Sequence, residues 1–498
     1  MAVHKVCGIE TEFGILHQNP DADSNPVSAS SMLINAYVNE RLNGRVDWDF
    51  EDESPGVDAR GVNDHDALAP VIDSHLINAV LTNGARYYVD HAHPEMSSPE
   101  RFDARDAVIY DVASERILQA SMEIANRLLP EGQELVVHKN NSDGKGNTYG
   151  THENYLLDRQ TPFGRIVQHI TPFFITRQMY IGSGKVGSEA PGLTIEDVPF
   201  QMTQRADFFE EEVGLETTLK RPIVNTRDEP HANSRKYRRF HVIAGDATQS
   251  EVATYLKIGT ASIVLAMIDD NVLPRDLVFR SPVSAMREVS YDISLSNVYE
   301  MASGGTMSAL EVQWEYLDLA RKYGEDRGFD AVGGDDIGQD ILMRWEDVLT
   351  GLETDPMSLA DRVEWIAKLR LIEAFRDRHS LEWDDPRVRG LDLQFHDLRP
   401  AKNLFSRLGM QRVVTDAEVE FAIDNPPART RAYFRGRCLQ KFKDQVVAAN
   451  WDSIVFDVGT DALRRVPTLE PLRGTEAYVG NVLDQCDTAE ELLDRLGA

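Results

Sequence analysis

The first segment with functional potential reads Gly-Ile-Glu-Thr-Glu-Phe-Gly at residues 8–14. It lies within a strand predicted for residues 3–16, and alternate residues of a strand share one face. Glu10 and Glu12 therefore point the same way. Two adjacent carboxylates repel each other unless a cation lies between them, and Mg²⁺ prefers such oxygen ligands. The pair indicates a magnesium site or, alternatively, two solvated glutamates on an exposed strand face.

A second and denser group of ionisable side chains lies at residues 83–95, which read Asn-Gly-Ala-Arg-Tyr-Tyr-Val-Asp-His-Ala-His-Pro-Glu. Period two places Arg86, Tyr88 and Asp90 on one face of a predicted strand. A proline then ends the strand, and Glu95 follows it where a loop can direct its carboxylate back. The segment indicates a functional strand, with a surface hairpin as the alternative.

Three further segments combine histidine, carboxylate, amide or aromatic side chains, at residues 149–155, 238–246 and 450–452. In the second of them Arg239 and His241 share a strand face. A lone strand histidine is more often a structural residue than a ligand, so this pattern alone leaves both roles open. Trp451 could stack on a base or simply fill a core.

Composition excludes several classes of protein. The chain has 498 residues and a formal net charge of -30, which argues against non-specific nucleic-acid binding because that needs a basic surface. No window approaches 18 uninterrupted apolar residues, so no transmembrane helix is predicted. The three cysteines are too scattered for a disulfide framework or a metal site. With no secretory signal visible, they predict a cytoplasmic protein.

The predicted elements do not alternate regularly, which favours an α+β fold over a doubly wound sheet. Strand-like runs lie at residues 3–16, 86–91, 134–138, 165–180 and 240–243. Helices are predicted at residues 71–81, 105–128, 308–322, 361–378 and 417–423. The helix at 308 is predicted from a capping-box pattern, Ser-Ala-Leu-Glu.

Two prolines at 426–427 predict a boundary between a catalytic domain at residues 1–425 and a small C-terminal domain at residues 426–498. Residues 43–70 differ from the rest, since they combine glycine-containing turn pairs with an acidic run and little apolar periodicity. Loops of this length are usually functional or disordered. The segment is predicted to be a mobile insert near the active site.

Together these motifs resemble those of the Pup ligases and Pup deamidases, glutamine synthetase-like enzymes that act on the prokaryotic ubiquitin-like protein Pup. The matching stretches are residues 8–14, 83–86, 89–95, 151–156, 241–246, 430–436 and 451–453. They span nearly the whole chain. The resemblance implies a glutamine synthetase-like large domain, with an antiparallel sheet packed by helices, followed by the small C-terminal domain.

The family has two branches with opposite chemistry. Ligases join the C-terminal glutamate side chain of Pup to a target lysine. The other branch deamidates the C-terminal glutamine of Pup and hydrolyses Pup–lysine isopeptide bonds. Two features resemble this second branch: Asp90 is followed by His-Ala-His-Pro-Glu, where ligases typically read Val-Gly-Ser-His-Pro-Glu, and ligases lack the insert at 43–70. The resemblance therefore implies an amide hydrolase.

The resemblance also implies roles for individual residues. The implied metal ligands are Glu10, Tyr88, Glu95, His241 and Glu153, of which the last two are matched to the wider superfamily. The implied nucleotide and phosphate contacts are Arg86, Ser98, Trp451, Arg205 and Arg227. Ser98 replaces the threonine common at its position but keeps a hydroxyl. Asp90 matches the catalytic aspartate, which either attacks the amide carbon or acts as base on a water.

The implied cofactors are ATP and Mg²⁺, with ATP bound rather than spent in each turnover. The implied partners are Pup and pupylated proteins, with no nucleic acid and no membrane. Because Pup is acidic, the basic runs at residues 235–239 and 429–443 are predicted to form its docking surface. The alternatives are a Pup ligase, a small-molecule ligase of the glutamate–cysteine type, and an inactive Pup-binding adaptor.

Overall fold

The structure is a computed structural model that describes residues 1–20, 24–42, 45–51, 53–61, 77–273, 276–460 and 462–497. The strands are β1 (Cys7–Glu12), β2 (Gly14–Gln18), β3 (Asp47–Trp48), β4 (Asn78–Val80), β5 (Arg86–Asp90), β6 (His93–Ser97), β7 (Glu134–His138), β8 (Thr151–Asp158), β9 (Lys185–Val186), β10 (Phe200–Gln201), β11 (Phe209–Gly214), β12 (Arg221–Asn225), β13 (Tyr237–Gly245), β14 (Val298–Glu300), β15 (Thr306–Ser308), β16 (Val446–Ala449), β17 (Ser453–Phe456) and β18 (Arg464–Pro467). The α-helices are α1 (Pro26–Tyr37), α2 (Ala104–Leu128), α3 (Phe163–Ile181), α4 (Glu251–Asp269), α5 (Pro282–Tyr291), α6 (Ala309–Arg327), α7 (Asp335–Thr354), α8 (Glu364–His379), α9 (Pro386–Phe395), α10 (Asp416–Asp424), α11 (Ala432–Lys441), α12 (Glu476–Asp484) and α13 (Ala489–Leu496).

Ten of these strands form one sheet in the order β13-β8-β1-β6-β5-β4-β3-β16-β17-β18. Neighbouring strands in it are antiparallel, except that β3 and β16 are parallel. Long helices pack against the sheet without alternating with its strands, so the predicted α+β class is confirmed. The centre of the sheet is made of β8, β1, β6 and β5, which carry most of the predicted site residues.

One face of this central part is covered by helices. Burial alternates along β1, where Cys7 and Ile9 are buried and their neighbours are half-buried. Both join the largest core, to which Tyr155, Phe240 and helices α2, α3 and α4 contribute. By length and composition α4 could cross a membrane, but its apolar window is 100% buried inside the protein. The sheet therefore has an apolar face toward these helices and a polar face away from them.

Most predicted elements are confirmed within a few residues. The strand predicted at 3–16 is β1 and β2, which are interrupted at Phe13. The helix at 105–128 is α2, whose first turn is capped by the Asp103 carboxylate. The capping box at Ser308 and Glu311 opens α6 as predicted. The remaining confirmed elements are β5, β7, β13, α8 and α10.

Two predicted elements are wrong. Residues 165–180 carry many β-branched and aromatic side chains and were predicted as a strand, but they lie in α3. Nearly all side chains of α3 from Ile170 onward are buried, and a helix that is apolar all round has the composition of a buried strand. Of the helix predicted at 71–81, residues 71–76 lie outside the described residues, and Asn78–Val80 form β4.

The predicted mobile insert also needs correction. Trp48 is only 4% exposed, and β3 pairs with β16 on one side and β4 on the other. Asp49 and Glu51 of the acidic run pair with Arg465. These pairings make this part of the segment a strand of the sheet. Trp48 packs into the hydrophobic core of the C-terminal helices. Residues 62–70 of the insert lie outside the described residues.

The domain boundary at residues 426–427 remains a prediction. Strands β16, β17 and β18 continue the large sheet across it. Helices α11, α12 and α13 share a separate hydrophobic core with these strands, and Val46, Trp48 and Val80 from the first half of the chain join that core. The C-terminal segment thus has its own core but shares a sheet with the preceding part.

Candidate active site

The register of the large sheet gathers acidic and histidine side chains on its polar face. Glu10 of β1 lies opposite His152 of β8. Glu12 lies opposite Glu95 of β6, which in turn lies opposite Tyr88 of β5. Directly paired residues of neighbouring antiparallel strands share a face. The period-two prediction that Glu10 and Glu12 point the same way is therefore confirmed.

The first group on this face, the histidine cluster, consists of Glu10, His152 and His241. One ligand atom from each lies within 4.8 Å of the others, and His152 Nδ1 is 3.3 Å from Glu10 Oε2. Burial acts to raise the pKa of Glu10, but the hydrogen bond with His152 and the charge of Arg239 lower it well below its usual value. Burial lowers the pKa of His241 well below its usual value. An ionised carboxylate beside a neutral imidazole fits a divalent cation.

The second group, the carboxylate cluster, consists of Glu12, Asp90 and Glu95, again with ligand oxygens within 4.8 Å of one another. Burial, together with the charges of its acidic neighbours, raises the pKa of Glu95 well above its usual value. The pKa of Glu12 is also raised, chiefly by burial. Three crowded carboxyl groups are unfavourable as anions unless a cation neutralises them. Their oxygens fit the hard cation Mg²⁺.

Tyr88 lies between the two clusters. Its hydroxyl is 3.3 Å from Ser97 Oγ. Burial, followed by the charge of Glu95, raises the pKa of Tyr88 well above its usual value. The phenol therefore remains protonated beside the carboxylates. It can offer a neutral oxygen to a cation or donate a hydrogen bond to an acidic neighbour, and its role as a metal ligand stays a prediction.

Asp90 ends β5 at the rim of the carboxylate cluster, where 40% of its side chain is exposed. His91 turns the chain with φ 52° and places Nδ1 3.1 Å from Asp90 Oδ2. Burial acts to raise the pKa of Asp90, but the hydrogen bond and charge of His91 lower it below its usual value. That bond with Asp90 in turn raises the pKa of His91 to about 9. Asp90 is thus an ionised and accessible carboxylate, as a nucleophile or base must be.

Arg86 is held between aromatic rings beside these clusters. Its guanidinium carbon lies 4.3 Å from the ring centroid of Trp48 and 4.0 Å from that of Tyr88. Trp48 contacts Trp451 edge-on, with centroids 5.0 Å apart. The structure therefore brings the predicted nucleotide contacts Arg86 and Trp451 together. It does so through Trp48, which the sequence had placed in a mobile loop.

A cleft opens beside the histidine cluster. Residues on its walls include Gly8, Glu10, Ser98, His231, Arg239 and Trp451. The Ser98 hydroxyl accepts a hydrogen bond from the Ile9 N–H at 2.9 Å and donates one to the Ile9 carbonyl at 2.8 Å. Ser98 therefore shapes the wall of the cleft, and a direct contact with a nucleotide stays a prediction.

Arginines approach the clusters from the side opposite the hairpin of β5 and β6. Arg205 is buried and donates from Nη1 to the Ile243 carbonyl at 2.7 Å, and burial lowers its pKa to about 9. Its Nε and that of Arg227 are buried without a partner among the described residues. Arg221, which sequence reasoning missed, lies near enough to Arg205 to lower its pKa. Burial lowers the pKa of Arg221 itself, and the charge of nearby Glu12 acts to raise it. Unpaired buried donors suit an anionic ligand.

Glu153 does not join the predicted metal ligands. It is 0% exposed and lies on the helical face, where Arg177 of α3 binds both of its carboxylate oxygens at 2.6 and 2.9 Å. The Tyr155 hydroxyl donates to the same carboxylate at 2.6 Å. Glu153 is one residue out of phase with His152, so period two turns it away from Glu10. Its carboxylate is already neutralised inside the fold, which corrects the prediction.

The resemblance implied no role for four residues that the structure brings into the site: Glu12, His152, Asn154 and Arg239. Strand periodicity places each of them on the polar face of the sheet. Glu12 shares the face of Glu10, and Arg239 shares that of His241. For β8, the same rule applied to residues 152 and 154 selects the face that Glu153 does not use. The large sheet thus follows the alternation that the sequence shows.

The two basic runs, predicted as a docking surface, are largely used inside the protein. Arg431 and Arg435 are buried and bind the carboxylate of Glu100. Lys236 pairs with Glu470. Their charges therefore stabilise the contact between the C-terminal segment and the rest of the chain. These pairings reduce the positive charge that the two runs present to a partner, and their role as a docking surface stays a prediction.

The fold is glutamine synthetase-like, as the comparison with solved structures confirms. A crystal structure of Pup in complex with its ligase PafA matches with a TM-score of 0.80 and 29% sequence identity, covering 97% of this chain and 92% of that one. A structure of the Pup ligase PafA in complex with ADP matches with a TM-score of 0.74 and 32% identity, covering 82% and 89%.

More narrowly, the chain belongs to the Pup-ligase protein family, whose model matches residues 5–455. It is 51% identical to a protein named Depupylase from Acidothermus cellulolyticus, over 99% of both chains. It is 45% identical to the Pup deamidase/depupylase of Mycobacterium tuberculosis, over 100% of this chain and 99% of that one. A Pup–protein ligase from Xylanimonas cellulosilytica is 38% identical over 82% of this chain. The resemblance read from the motifs is confirmed.

Proposed function

We propose that this chain is an ATP- and Mg²⁺-dependent amide hydrolase that deamidates the C-terminal glutamine of Pup and cleaves Pup–lysine isopeptide bonds. The observation that carries the proposal is the position of Asp90. It is an accessible carboxylate, ionised at neutral pH, within 4.8 Å of the two other carboxylates of its cluster. The whole-length similarity to named depupylases supports the same activity.

Both reactions break an amide C–N bond and form a C–O bond at the same carbon. Asp90 either attacks that carbon, giving an anhydride that water then opens, or takes a proton from an attacking water. The leaving nitrogen departs as ammonia or as the lysine amine after gaining a proton. Mg²⁺ held by the carboxylate cluster would supply Lewis-acid polarisation and neutralise the acidic neighbours. The exposed edge of Asp90 is where an extended peptide end can arrive.

The cleft is the proposed site of ATP. Its aromatic wall, Trp451 with Trp48 behind it, offers a surface on which a base can stack. Arg86 lies beside this wall, and Glu10 of the histidine cluster lines the cleft, where Mg²⁺ would meet the phosphates. A ligase of related structure is described as a complex with ADP, which supports nucleotide binding. Arg205 and Arg227 are proposed to hold phosphate or developing negative charge.

A Pup ligase is the second candidate, and family membership alone would allow it. Two observations favour the hydrolase. Identity to the named depupylases is 45–51% over essentially the whole chain, whereas the first ligase match reaches 38% over 82% of it. The strand end also carries the Asp-His-Ala-His-Pro-Glu sequence that resembles the deamidase branch.

Mass spectrometry distinguishes the candidates. The chain is incubated with ATP, Mg²⁺ and Pup that ends in glutamine, and a hydrolase replaces the terminal amide by a carboxylate. A ligase instead requires Pup that ends in glutamate, and forms a conjugate while releasing ADP. Activity on glutamate and cysteine without any protein would indicate the small-molecule ligase. Binding of Pup without any reaction would indicate an inactive adaptor, and either of these last results would contradict the proposal.

A further inference from the structure

We propose that Asn154 is a positioning residue of the histidine cluster, which fixes the tautomer of His241 and leaves its Nε2 lone pair free for a cation. The inference rests on the cation site proposed above. Asn154 lies on β8, between the strands that carry the two residues it contacts. It is paired with His241 of β13 on one side and with Gly8 of β1 on the other, and Glu10 follows Gly8 by two residues on the same face.

The hydrogen bonds of Asn154 allow one orientation of its amide. The amide oxygen lies 2.8 Å from Arg239 Nη1, and a guanidinium group can only donate, so the facing atom must be an acceptor. The amide nitrogen lies 2.9 Å from Glu10 Oε1, and an ionised carboxylate can only accept. Two independent contacts therefore give the same orientation. The side chain cannot flip without placing two donors or two acceptors face to face.

This orientation determines the tautomer of His241. The oxygen of Asn154 lies 3.0 Å from His241 Nδ1, so that nitrogen must carry a proton in order to donate. Arg239 Nη1 lies 3.4 Å from the same nitrogen, but that contact is longer, and an Nδ1 without a proton would place its lone pair against the Asn154 oxygen at 3.0 Å. In a neutral imidazole with a proton on Nδ1, the lone pair is on Nε2.

Nε2 is the other ring nitrogen of His241. It is buried and lacks a hydrogen-bond partner among the described residues. His241 also approaches Glu10 and His152 within the 4.8 Å that one ion can span. A buried acceptor without a partner is costly, and a cation would satisfy it. The same amide of Asn154 thus orients one ligand from each neighbouring strand.

Two substitutions separate this role from ordinary packing. Asn154→Leu has a similar size but makes no hydrogen bond. Asn154→Asp keeps an acceptor for Arg239 and His241 but loses the donor to Glu10. Loss of a residue that orients a metal ligand typically costs 10–100-fold in metal affinity. We expect Asn154→Leu to weaken Mn²⁺ binding by about 10–100-fold, and Asn154→Asp to weaken it less.

Mn²⁺ binding is measured without nucleotide, from the electron paramagnetic resonance signal of the free ion, on the full chain. The tautomer is read separately from ¹⁵N-histidine NMR of the metal-free protein, with the His241 signals identified through His241→Gln. A proton on Nδ1 is expected in the unaltered chain and in Asn154→Asp, and mixed tautomers in Asn154→Leu. The NMR measurement on the unaltered chain remains decisive even if a variant does not fold.

Asn126→Leu is the matched control. The Asn126 amide also makes two hydrogen bonds, to the N–H and carbonyl of Leu135 at 2.7 and 3.1 Å, but outside the site. It should lower thermal stability and leave Mn²⁺ affinity unchanged. A proton on Nε2 in the unaltered chain, no Mn²⁺ binding by it, or unchanged affinity in Asn154→Leu would each overturn the inference. If these tests succeed and Pup is still not deamidated, the proposed function fails and the role of Asn154 stands.

Discussion

The two faces of the large sheet hold acidic side chains in opposite ways. On the helical face, Glu153 is neutralised by Arg177, and this ion pair outweighs burial to keep the pKa of Arg177 raised. On the polar face, Glu12, Asp90 and Glu95 crowd together, and burial raises the pKa of two of them. The fold supplies a counter-charge where a carboxylate serves stability. It leaves carboxylates facing one another where an external cation is proposed to bind.

The largest effect should come from Asp90→Asn on the polar face. Removing a catalytic acid–base or nucleophilic group typically costs about 10²–10⁴-fold in rate. We expect deamidation of Pup, followed by mass spectrometry, to fall by at least this much. ATP binding measured by calorimetry should remain nearly intact. Asp416→Asn, at a 79% exposed side chain, serves as the control. A rate near that of the unaltered chain would show that Asp90 is not catalytic.

On the helical face, Glu153→Gln should lower the free energy of unfolding. Breaking a buried ion pair by removing one partner costs about 3–5 kcal/mol in the free energy of unfolding, because Arg177 would be left charged in the core. Chemical denaturation measures this loss. The double variant Glu153→Leu with Arg177→Met should recover part of it, since no buried charge remains. Loss of Mg²⁺-dependent ATP binding at unchanged stability would instead indicate that Glu153 is a metal ligand.

Glu10→Ala should have a smaller and more selective effect. The histidine cluster would lose its only carboxylate, so ATP affinity in the presence of Mg²⁺ should fall by about tenfold or more, which corresponds to about 1.4 kcal/mol. Calorimetry without Mg²⁺ supplies the internal control, since the two proteins should then bind ATP alike. Equal affinity with Mg²⁺ present would leave Glu10 as an ordinary strand glutamate.

The smallest effect concerns His91 and depends on pH. Its folded-state pKa of about 9 lies above the usual 6.5. The contact with Asp90 therefore contributes stability that is complete below about pH 6.5 and is lost as the pH rises through about 9. His91→Gly tolerates the positive φ and removes the ring. The difference in unfolding free energy between the two proteins should shrink over this range. A difference that does not change with pH would contradict the ion pair.

Strand periodicity predicted a large part of the polar face. Glu10, Tyr88 and His241 converge because β1, β5 and β13 follow the alternation visible in the sequence. Glu95, which was expected in a loop after the proline, lies instead in β6 opposite Tyr88. Glu153 failed because its role was taken from a resemblance to the wider superfamily, against the phase of its own strand. Its partner Arg177 lies on a helix that the sequence had predicted as a strand. No local pattern could have revealed that contact.

Trp48 shows a different limit of sequence reasoning. Its neighbours are acidic and rich in turn residues, so local composition predicts a loop. The structure places it in the C-terminal core because β3 pairs with β16 from the far end of the chain. Pairing over such a separation leaves no periodic signal in a strand of two residues. The contact of Trp48 with Arg86 could therefore not be predicted either.

The pairing of β3 with β16 makes the cleft depend on a part of the chain that is synthesised late. The Asn450 side chain donates to the carbonyl of Asp49, 401 positions earlier. During translation, one edge of β3 stays unpaired until β16 has been synthesised. Unpaired strand edges favour association with other chains. A chain that ends before residue 446 would lack both β16 and Trp451, and with them a partner of β3 and the aromatic wall of the cleft.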